Sequence, residues 1–296
     1  MSASATARLL RRPIDVVGEW AAARGSGLTW VGLGIISFYA FVAIAAPWLA
    51  PHDPNAYTSR PLQLPSPTHL LGTNDVGQDI LSDLIYGARV SLLVGVLAAT
   101  LTLGLSTLVG ATAGYVGGFV DSCLMRLVDV LITLPRLPLM IVISAYAGAS
   151  LQTIILVIGL LSWPQAARVI RSQVLSLRAR SHVEAARLFG GGTLYVLGRH
   201  VVPAIGPILV AGFVGQAGHA VLLEANLAFL GLGDPALKSW GLSIRHAINV
   251  KGFYFGSQWL WWVLPAGLNL VLLLLGFTFL GVGLEALSNP RLRRHR

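Results

Sequence analysis

Long runs of apolar residues, separated by short polar segments, occupy most of the chain between residues 28 and 289. Most of these runs are close to the ~20 residues that a helix needs to cross the hydrocarbon core of a bilayer. The pattern therefore predicts an all-α, polytopic membrane protein with six transmembrane helices. The predicted spans are 28–50, 90–115, 123–147, 151–167, 203–222 and 260–285. Polar ends flank them, a tail over residues 1–27 and a basic tail over residues 290–296.

Two connections between the spans are long, and we predict both to be external loops. The first, 51–88, carries prolines at positions 51, 54, 61, 65 and 67, which prevent a helix and favour an extended crossing. Its last part, 80–85, is predicted to form a short amphipathic helix. The residues that could cap this helix are Thr73, Asn74 and Asp75. The second loop, 223–259, is predicted to be either a turn-rich connection or a packed loop at one end of a cavity.

The third predicted span contains both a helix break and charged residues. Pro135 and Pro138 interrupt the helix, and the carbonyl groups they free need partners from protein or from a water-filled path. Asp129 and Arg136 are seven residues apart and would share one face of a regular helix. Charges at depth favour a solute pathway or gate. The same pair also fits an interfacial position near the cytoplasmic end of the span.

The fourth span continues into a basic helix. At ~100° per residue, Arg168, Arg171 and Arg178 fall within one arc of its surface. This arc predicts a contact with lipid phosphates or with an acidic patch on a partner protein.

The segment from Ser181 to Pro203 is the longest polar interruption in the second half of the chain. Ser181 and Glu184 have the spacing of a capping box, which predicts the start of a short helix. The run Gly190–Gly192 should end that helix in a left-handed turn, and a second short helix can follow from Thr193. An ordinary loop with a well-capped helix would show the same pattern.

The same segment resembles the EAA loop of ATP-binding-cassette importer permeases, which docks into a groove of a cytoplasmic ATPase. The residues that carry the resemblance are Glu184, Ala185, Ala186, Arg187, Gly190 and Pro203. The resemblance implies the type I (MetI-like) permease fold and assigns these residues to ATPase coupling. One departure is His200-Val201-Val202-Pro203, where the general consensus has I-x-L-P.

Two further segments, 69–95 and 222–241, resemble the dipeptide, oligopeptide and nickel branch of these permeases, and the second is similar to the second of its two permease types. The family usually has Arg at the position of Gln78. The resemblance implies a heterodimer with a sister permease, two ATPase subunits and an extracytoplasmic substrate-binding protein. The residues expected to face that binding protein are Asp79, Leu230, Gly231, Gly233 and Trp240.

Composition and charge agree with a membrane protein. Hydrophobic residues make up 55% of the chain and charged residues only 11%, far below the soluble norm of about a quarter. The basic residues are scattered among apolar runs, which argues against nucleic-acid binding and favours contact with membrane lipid. Most of them fall on the side of both termini and of the EAA loop, so the positive-inside rule predicts cytoplasmic ends in a bacterial plasma membrane. A signal peptide is disfavoured because the first apolar run exceeds the ~7–15 residues of its core.

The sequence offers no ATP site of its own. A phosphate-binding loop needs Gly-Lys followed by Ser or Thr, and neither Lys238 nor Lys251 stands in that context. We therefore expect no bound cofactor, metal or enzymatic activity in this chain, and ATP and Mg²⁺ on the partner ATPase subunits. The predicted function is the permease subunit of an ATP-driven importer of peptides or related small solutes. The alternative is a secondary transporter driven by an ion gradient, which would need carboxylates at mid-membrane depth.

Overall fold

The computed structural model describes residues 13–288 except 58, 252, 254 and 255, and over these residues the chain is helical, with no strand. The predicted C-terminal tail and the first part of the N-terminal tail lie outside the described residues. The helices are α1 (Pro13–Leu49), α2 (Ile80–Val116), α3 (Gly118–Thr133), α4 (Arg136–Ala147), α5 (Leu151–Arg178), α6 (Ser181–Leu188), α7 (Thr193–Val196), α8 (Val202–Ala204), α9 (Gly206–Phe229), α10 (Trp240–Ile248) and α11 (Leu264–Ser288). Two π-helical turns, Leu197–Val201 and Trp259–Val263, lead into α8 and α11.

Five described segments are long and apolar enough to cross a membrane, and they lie in α1, α2, α5, α9 and the region of α11. A sixth crossing is formed if α3 and α4 are counted as one span with an 85° bend between them. The break falls between Thr133 and Arg136, at the predicted Pro135, whereas Pro138 lies in the first turn of α4 and does not interrupt the helix. An all-α protein with five to six membrane helices is thus confirmed.

The predicted separate amphipathic helix at 80–85 is wrong, because these residues are the first turns of α2. The N-cap is Asp79 and none of the three predicted caps, since its Oδ2 accepts a hydrogen bond from the Ser82 backbone N–H at 2.9 Å. The Asn74 side chain instead closes a local turn by accepting from the Gln78 backbone N–H at 2.8 Å. Nothing after Ile80 breaks the helix, so it continues for 37 residues.

The helix α9 also differs from its predicted span, running over Gly206–Phe229 where 203–222 was expected. Residues 223–229 contain no glycine or proline, so the helix continues through them into the region assigned to a loop. The polar Glu224 is fully buried in this extension.

The helix α2 is the centre of the packing, because it contacts α1, α5 and α9. At Gly110 and Gly114 it lies directly on the backbone of α5, where an added Cβ would collide with the carbonyl oxygens of Ala167 and Arg171. Small residues at such points allow the two helix backbones to approach closely. Because a helix rises 1.5 Å per residue, the ends of α2 lie about 55 Å apart. The two candidate sites are found at these opposite ends.

Candidate coupling and docking sites

The first site is the segment between α5 and α9. Its helix α6 begins one residue earlier than the predicted capping box requires, because the N-cap is Arg180 and Ser181 already lies in the first turn. The Arg180 side chain makes no capping bond, and its carbonyl accepts from the backbone N–H groups of Val183 and Glu184. The capping-box prediction is therefore wrong, although the short helix that it predicted exists.

The glycine run ends α6 as predicted. Gly190 has φ = +86°, and its N–H donates to the carbonyl of Arg187 at 3.0 Å. The N–H of Gly191 donates to the carbonyl of Ala186, also at 3.0 Å. The chain then turns back into α7, which begins at the predicted Thr193. Pro203 lies in the short helix α8, three residues before α9 begins.

One side of this segment is anchored firmly in the membrane helices. The anchoring side chains are apolar and buried: Val183, Val196, Val201 and Ile205. They pack in one cluster with residues of α2 and α5, namely Ala111, Tyr115, Ile170, Val174 and Leu177. The segment is therefore in direct contact with two of the long helices.

The other side of the segment exposes large apolar side chains. Leu188, Phe189 and Leu194 are 82%, 92% and 87% exposed. We call these three residues, together with the half-buried Ala185 beside them, the outer coupling face, whereas the half-buried Ala186 packs against the anchoring cluster. Exposed apolar patches of this kind mark contacts with a partner protein or a membrane. Sequence reasoning found Ala185 but missed the three large residues, whose apolar character in a short polar segment was the available signal.

The remaining predicted coupling residues lie close to this face. Glu184, Arg187, Gly190 and Pro203 are all exposed on the same segment. Their role in coupling stays a prediction, because exposure shows only that they are accessible.

Asp129 and Arg136 do not form the pair that the sequence suggested. The 85° bend separates α3 from α4 between them, so they do not share one helix face. Asp129 accepts from Arg168 of α5 at 2.5 Å, and both side chains are about half exposed. Arg136 begins α4 and lines a cleft of about 350 Å³ together with Pro164, Gln165 and Leu223. A role in the pathway stays a prediction for both residues.

Two of the three arginines in the basic arc of α5 have acidic partners within the chain. Besides the Arg168 pair, Arg171 binds both carboxylate oxygens of Asp121 in α3, at 2.5 and 2.6 Å. The guanidinium of Arg178 lies against Gly117, at the turn between α2 and α3. The predicted contact of this arc with lipid or a partner is therefore wrong for Arg171, whose charge is used to hold α3 against α5.

The second site lies at the opposite end of α2, and three of its five predicted residues are buried. Asp79 is buried as the cap of α2. Trp240 is also buried, and its indole Nε1–H donates to the carbonyl of Leu84 at 2.9 Å. Neither residue can face a binding protein directly, because tertiary packing covers both. Gly233 is buried as well, whereas Leu230 is exposed and Gly231 is partly exposed. The latter two stay candidates for a partner contact.

A buried ion pair joins this end of α2 to the segment before α10. Nζ of Lys238 lies 3.2 Å from Oδ1 of Asp83 and donates to Oε1 of Gln78 at 2.8 Å. The family usually has Arg at position 78. Here Gln78 accepts a hydrogen bond from Lys238 instead. The side chains of Lys238 and Asp83 are 16% and 9% exposed. Sequence reasoning missed this pair because its members are far apart along the chain.

Comparison with known proteins identifies the family. Residues 106–294 match the model of the binding-protein-dependent transport system inner membrane component, and residues 20–67 match the N-terminal TM domain of oligopeptide transport permease C. The chain belongs to the first of these families, the inner membrane components of binding-protein-dependent transport systems. The resemblance drawn from the EAA segment and from segments 69–95 and 222–241 is confirmed, and the chain is a multi-pass inner membrane protein.

Several relatives are similar over nearly their whole length. A putative peptide permease protein of Brucella suis is 36% identical over 88% of this chain and 86% of the relative. A dipeptide transport system permease protein of Haemophilus influenzae is 33% identical, with 89% and 90% covered. A probable D,D-dipeptide transport system permease protein of Escherichia coli is 33% identical, with 90% and 89% covered.

Proposed function

We propose that this chain is the transmembrane permease subunit of an ATP-driven importer of peptides or related small solutes. The observation that carries the proposal is the outer coupling face, an apolar surface presented to solvent on a segment whose other side is fixed to α2 and α5. A partner that moves this segment would move the helices that enclose the solute path. The names of the relatives, which refer to peptide and dipeptide transport, support peptides as the solute.

Both termini and the outer coupling face lie in the cytoplasm in this proposal. The support is the charge distribution, because four Arg residues precede residue 28, six lie between Arg168 and Arg199, and four follow Pro290. The opposite end of α2, with Leu230 and Gly231, then faces outward and receives the extracytoplasmic binding protein.

The energy comes from two separate ATPase subunits, which bind ATP and Mg²⁺. The support is that neither lysine of this chain stands in a phosphate-binding loop. The competing mechanism, an ion-gradient carrier, has less support because the chain belongs to a family of binding-protein-dependent transport components. Of the carboxyl groups in its helices, Asp129 pairs with a half-exposed Arg168, whereas Glu224 of α9 is buried.

A sister permease completes the solute path as a heterodimer. An apolar groove of about 700 Å³ runs along α2 and supports this arrangement, since it offers a membrane-embedded partner a large contact surface. Its lining includes Leu103 and Leu108 of α2 and Phe213 of α9, and it also includes Leu194, so one end of the groove adjoins the outer coupling face.

The proposal is tested by reconstituting the chain in liposomes with its sister permease, its ATPase subunits and its binding protein. We expect uptake of a labelled peptide that requires ATP and all four kinds of subunit, and a complex with one copy of each permease by native mass spectrometry. Uptake driven by a proton or sodium gradient without ATPases would contradict it. A transporting homodimer of this chain would contradict the heterodimer alone.

Replacing Gly190 by valine is expected to reduce ATPase stimulation and transport severalfold. A β-branched residue tolerates φ = +86° poorly, so the turn between α6 and α7 should open and change the shape of the outer coupling face. The matched control is Gly192→Val, because Gly192 has φ = −66° and ψ = 160°, which suit valine, and no atom would contact the new Cβ. ATPase activity with added binding protein is the measurement. Equal activity of both variants would contradict a role for the left-handed turn.

A further inference from the structure

Two histidines and an aspartate meet where the external loop returns to the start of α2. Nδ1 of His69 lies 2.9 Å from Oδ1 of Asp79, and Nδ1 of His52 lies 3.8 Å from the same oxygen. One nitrogen or oxygen from each of the three side chains lies within 4.8 Å of the other two. His52 follows the end of α1 by three residues, His69 lies in the middle of the loop, and Asp79 caps α2.

The Nδ1 atom of His52 is the feature that hydrogen bonding does not explain. It is buried and has no hydrogen-bond partner in the described part of the chain, although it points toward the carboxylate of Asp79. A buried polar atom without a partner costs free energy, so such atoms in native proteins call for a ligand or an ion. A cation bound between His52, His69 and Asp79 would satisfy it.

The spacing of the three atoms suits a small transition-metal ion. In a tetrahedral zinc site with bonds of about 2.0–2.1 Å, neighbouring ligand atoms lie about 3.4 Å apart. The two separations from Asp79 Oδ1, 2.9 and 3.8 Å, lie on either side of this value. The two histidine nitrogens lie within 4.8 Å of each other, so a rotation of the half-exposed His52 side chain toward His69 and Asp79 would complete the site.

The surroundings also hold the side chains as a metal site requires. Nδ1 of His69 is hydrogen-bonded to Oδ1 of Asp79 at 2.9 Å, and a bound metal would replace the proton of this bond. Nε2 of His69 lies 2.7 Å from the Ser59 hydroxyl oxygen and can then donate its own proton there. Oδ2 of Asp79 accepts from both the backbone N–H and the hydroxyl of Ser82, whereas Oδ1 is bonded to Nδ1 of His69 alone. The backbone N–H of His52 donates to the same Ser82 hydroxyl oxygen at 3.1 Å.

We propose that His52, His69 and Asp79 form a binding site for a divalent transition-metal ion, of which Zn²⁺ is the representative. Two imidazoles and one carboxylate are ligands that suit zinc and its neighbours, whereas Mg²⁺ and Ca²⁺ prefer oxygen ligands alone. The His52 side chain is 34% exposed, which gives the ion access from solvent and leaves room for a water as fourth ligand. The bound ion would join the end of α1, the external loop and the start of α2, and so stabilise the outer end of the protein.

The test uses the full chain, purified in detergent with an affinity tag that contains no histidine and stripped of metal by a chelator. We expect one equivalent of Zn²⁺ to bind at neutral pH and to raise the melting temperature. Co²⁺ should give the visible absorption of a four- or five-coordinate site. His52→Gln should weaken Zn²⁺ binding by roughly tenfold or more and abolish the cobalt spectrum. Its backbone contact to Ser82 does not depend on the imidazole, so this variant should fold.

The matched control is His182→Gln, which removes an exposed histidine from α6 at the other end of α2. Asp79→Asn is a second variant, since an amide oxygen can still cap α2 but is a much weaker metal ligand. Loss of binding in His52→Gln and Asp79→Asn with full binding in His182→Gln would establish the site. Absence of saturable Zn²⁺ binding to the unmodified chain would overturn the proposal. So would equal binding by the unmodified chain and His52→Gln.

Discussion

Replacing Phe189 by aspartate is expected to detach the ATPase subunits and abolish transport, while the chain remains folded in the membrane. Phe189 is 92% exposed and follows directly after α6, so its side chain contributes little to the packing of this chain. In a complex, an aromatic side chain at the centre of an apolar contact typically contributes about 2 kcal/mol or more. A buried unpaired carboxylate in its place would add a desolvation penalty. We expect at least about 30-fold weaker ATPase binding.

The measurement is co-purification of the ATPases with the permease, together with ATP-dependent peptide uptake. Phe189→Leu should retain both, because it keeps an apolar side chain at the same position. Phe119→Asp is the positional control, since Phe119 is 83% exposed at the start of α3 but lies outside the outer coupling face. Full ATPase retention by Phe189→Asp would show that this face contacts something other than the ATPase.

Local chemistry allowed several features of this fold to be predicted. Apolar runs of membrane length identified the spans, because lipid requires both apolar side chains and internally bonded backbones. The break at Pro135 and the left-handed Gly190 followed from backbone constraints that a single residue imposes. Each of these predictions depended on the residue itself and on its close neighbours in sequence.

The features that were missed depend on residues distant in sequence. Asp129 was expected to act with Arg136 of the same span, but it pairs with Arg168, 39 residues away. Trp240 looked like a surface residue of a loop, yet it is buried against α2 through a bond that spans 156 residues. In α6 the apolar residues point both inward, at Val183, and outward, at Leu188. The pattern of a short helix cannot separate an anchoring face from a docking face when both are apolar.

The same reasoning applies to helix ends. Three candidate caps were named before α2, and the residue that caps it is Asp79, which the resemblance had assigned to partner contact. Its carboxylate serves the first turn of α2 and His69 at the same time. Asp79 belongs to a family motif and is also needed to cap a helix. Membership of the motif alone therefore does not show that it contacts a partner, and its burial has to be known before a role is assigned.

The second large effect is expected from Lys238→Met, which should destabilise the outer end of the protein. The change leaves the Asp83 carboxyl group, which is 9% exposed, without the ammonium group 3.2 Å away. Removing one partner of a buried ion pair typically costs about 3 kcal/mol or more, because the remaining charge is no longer compensated. Gln78 would also lose its bond from Lys238. We expect a lower melting temperature in detergent, by roughly 5–10 °C, and weaker association of the binding protein.

A double variant separates lost charge compensation from lost packing. Asp83→Asn removes the charge with little change in shape, so Lys238→Met combined with Asp83→Asn should recover most of the stability that Lys238→Met alone loses. The matched control is Lys251→Met, which removes an exposed lysine from the same external region and should leave the melting temperature unchanged. If the double variant melts as low as Lys238→Met, the contribution of Lys238 is its packing and its bond to Gln78. In that case the ion pair does not hold the segment before α10 against α2.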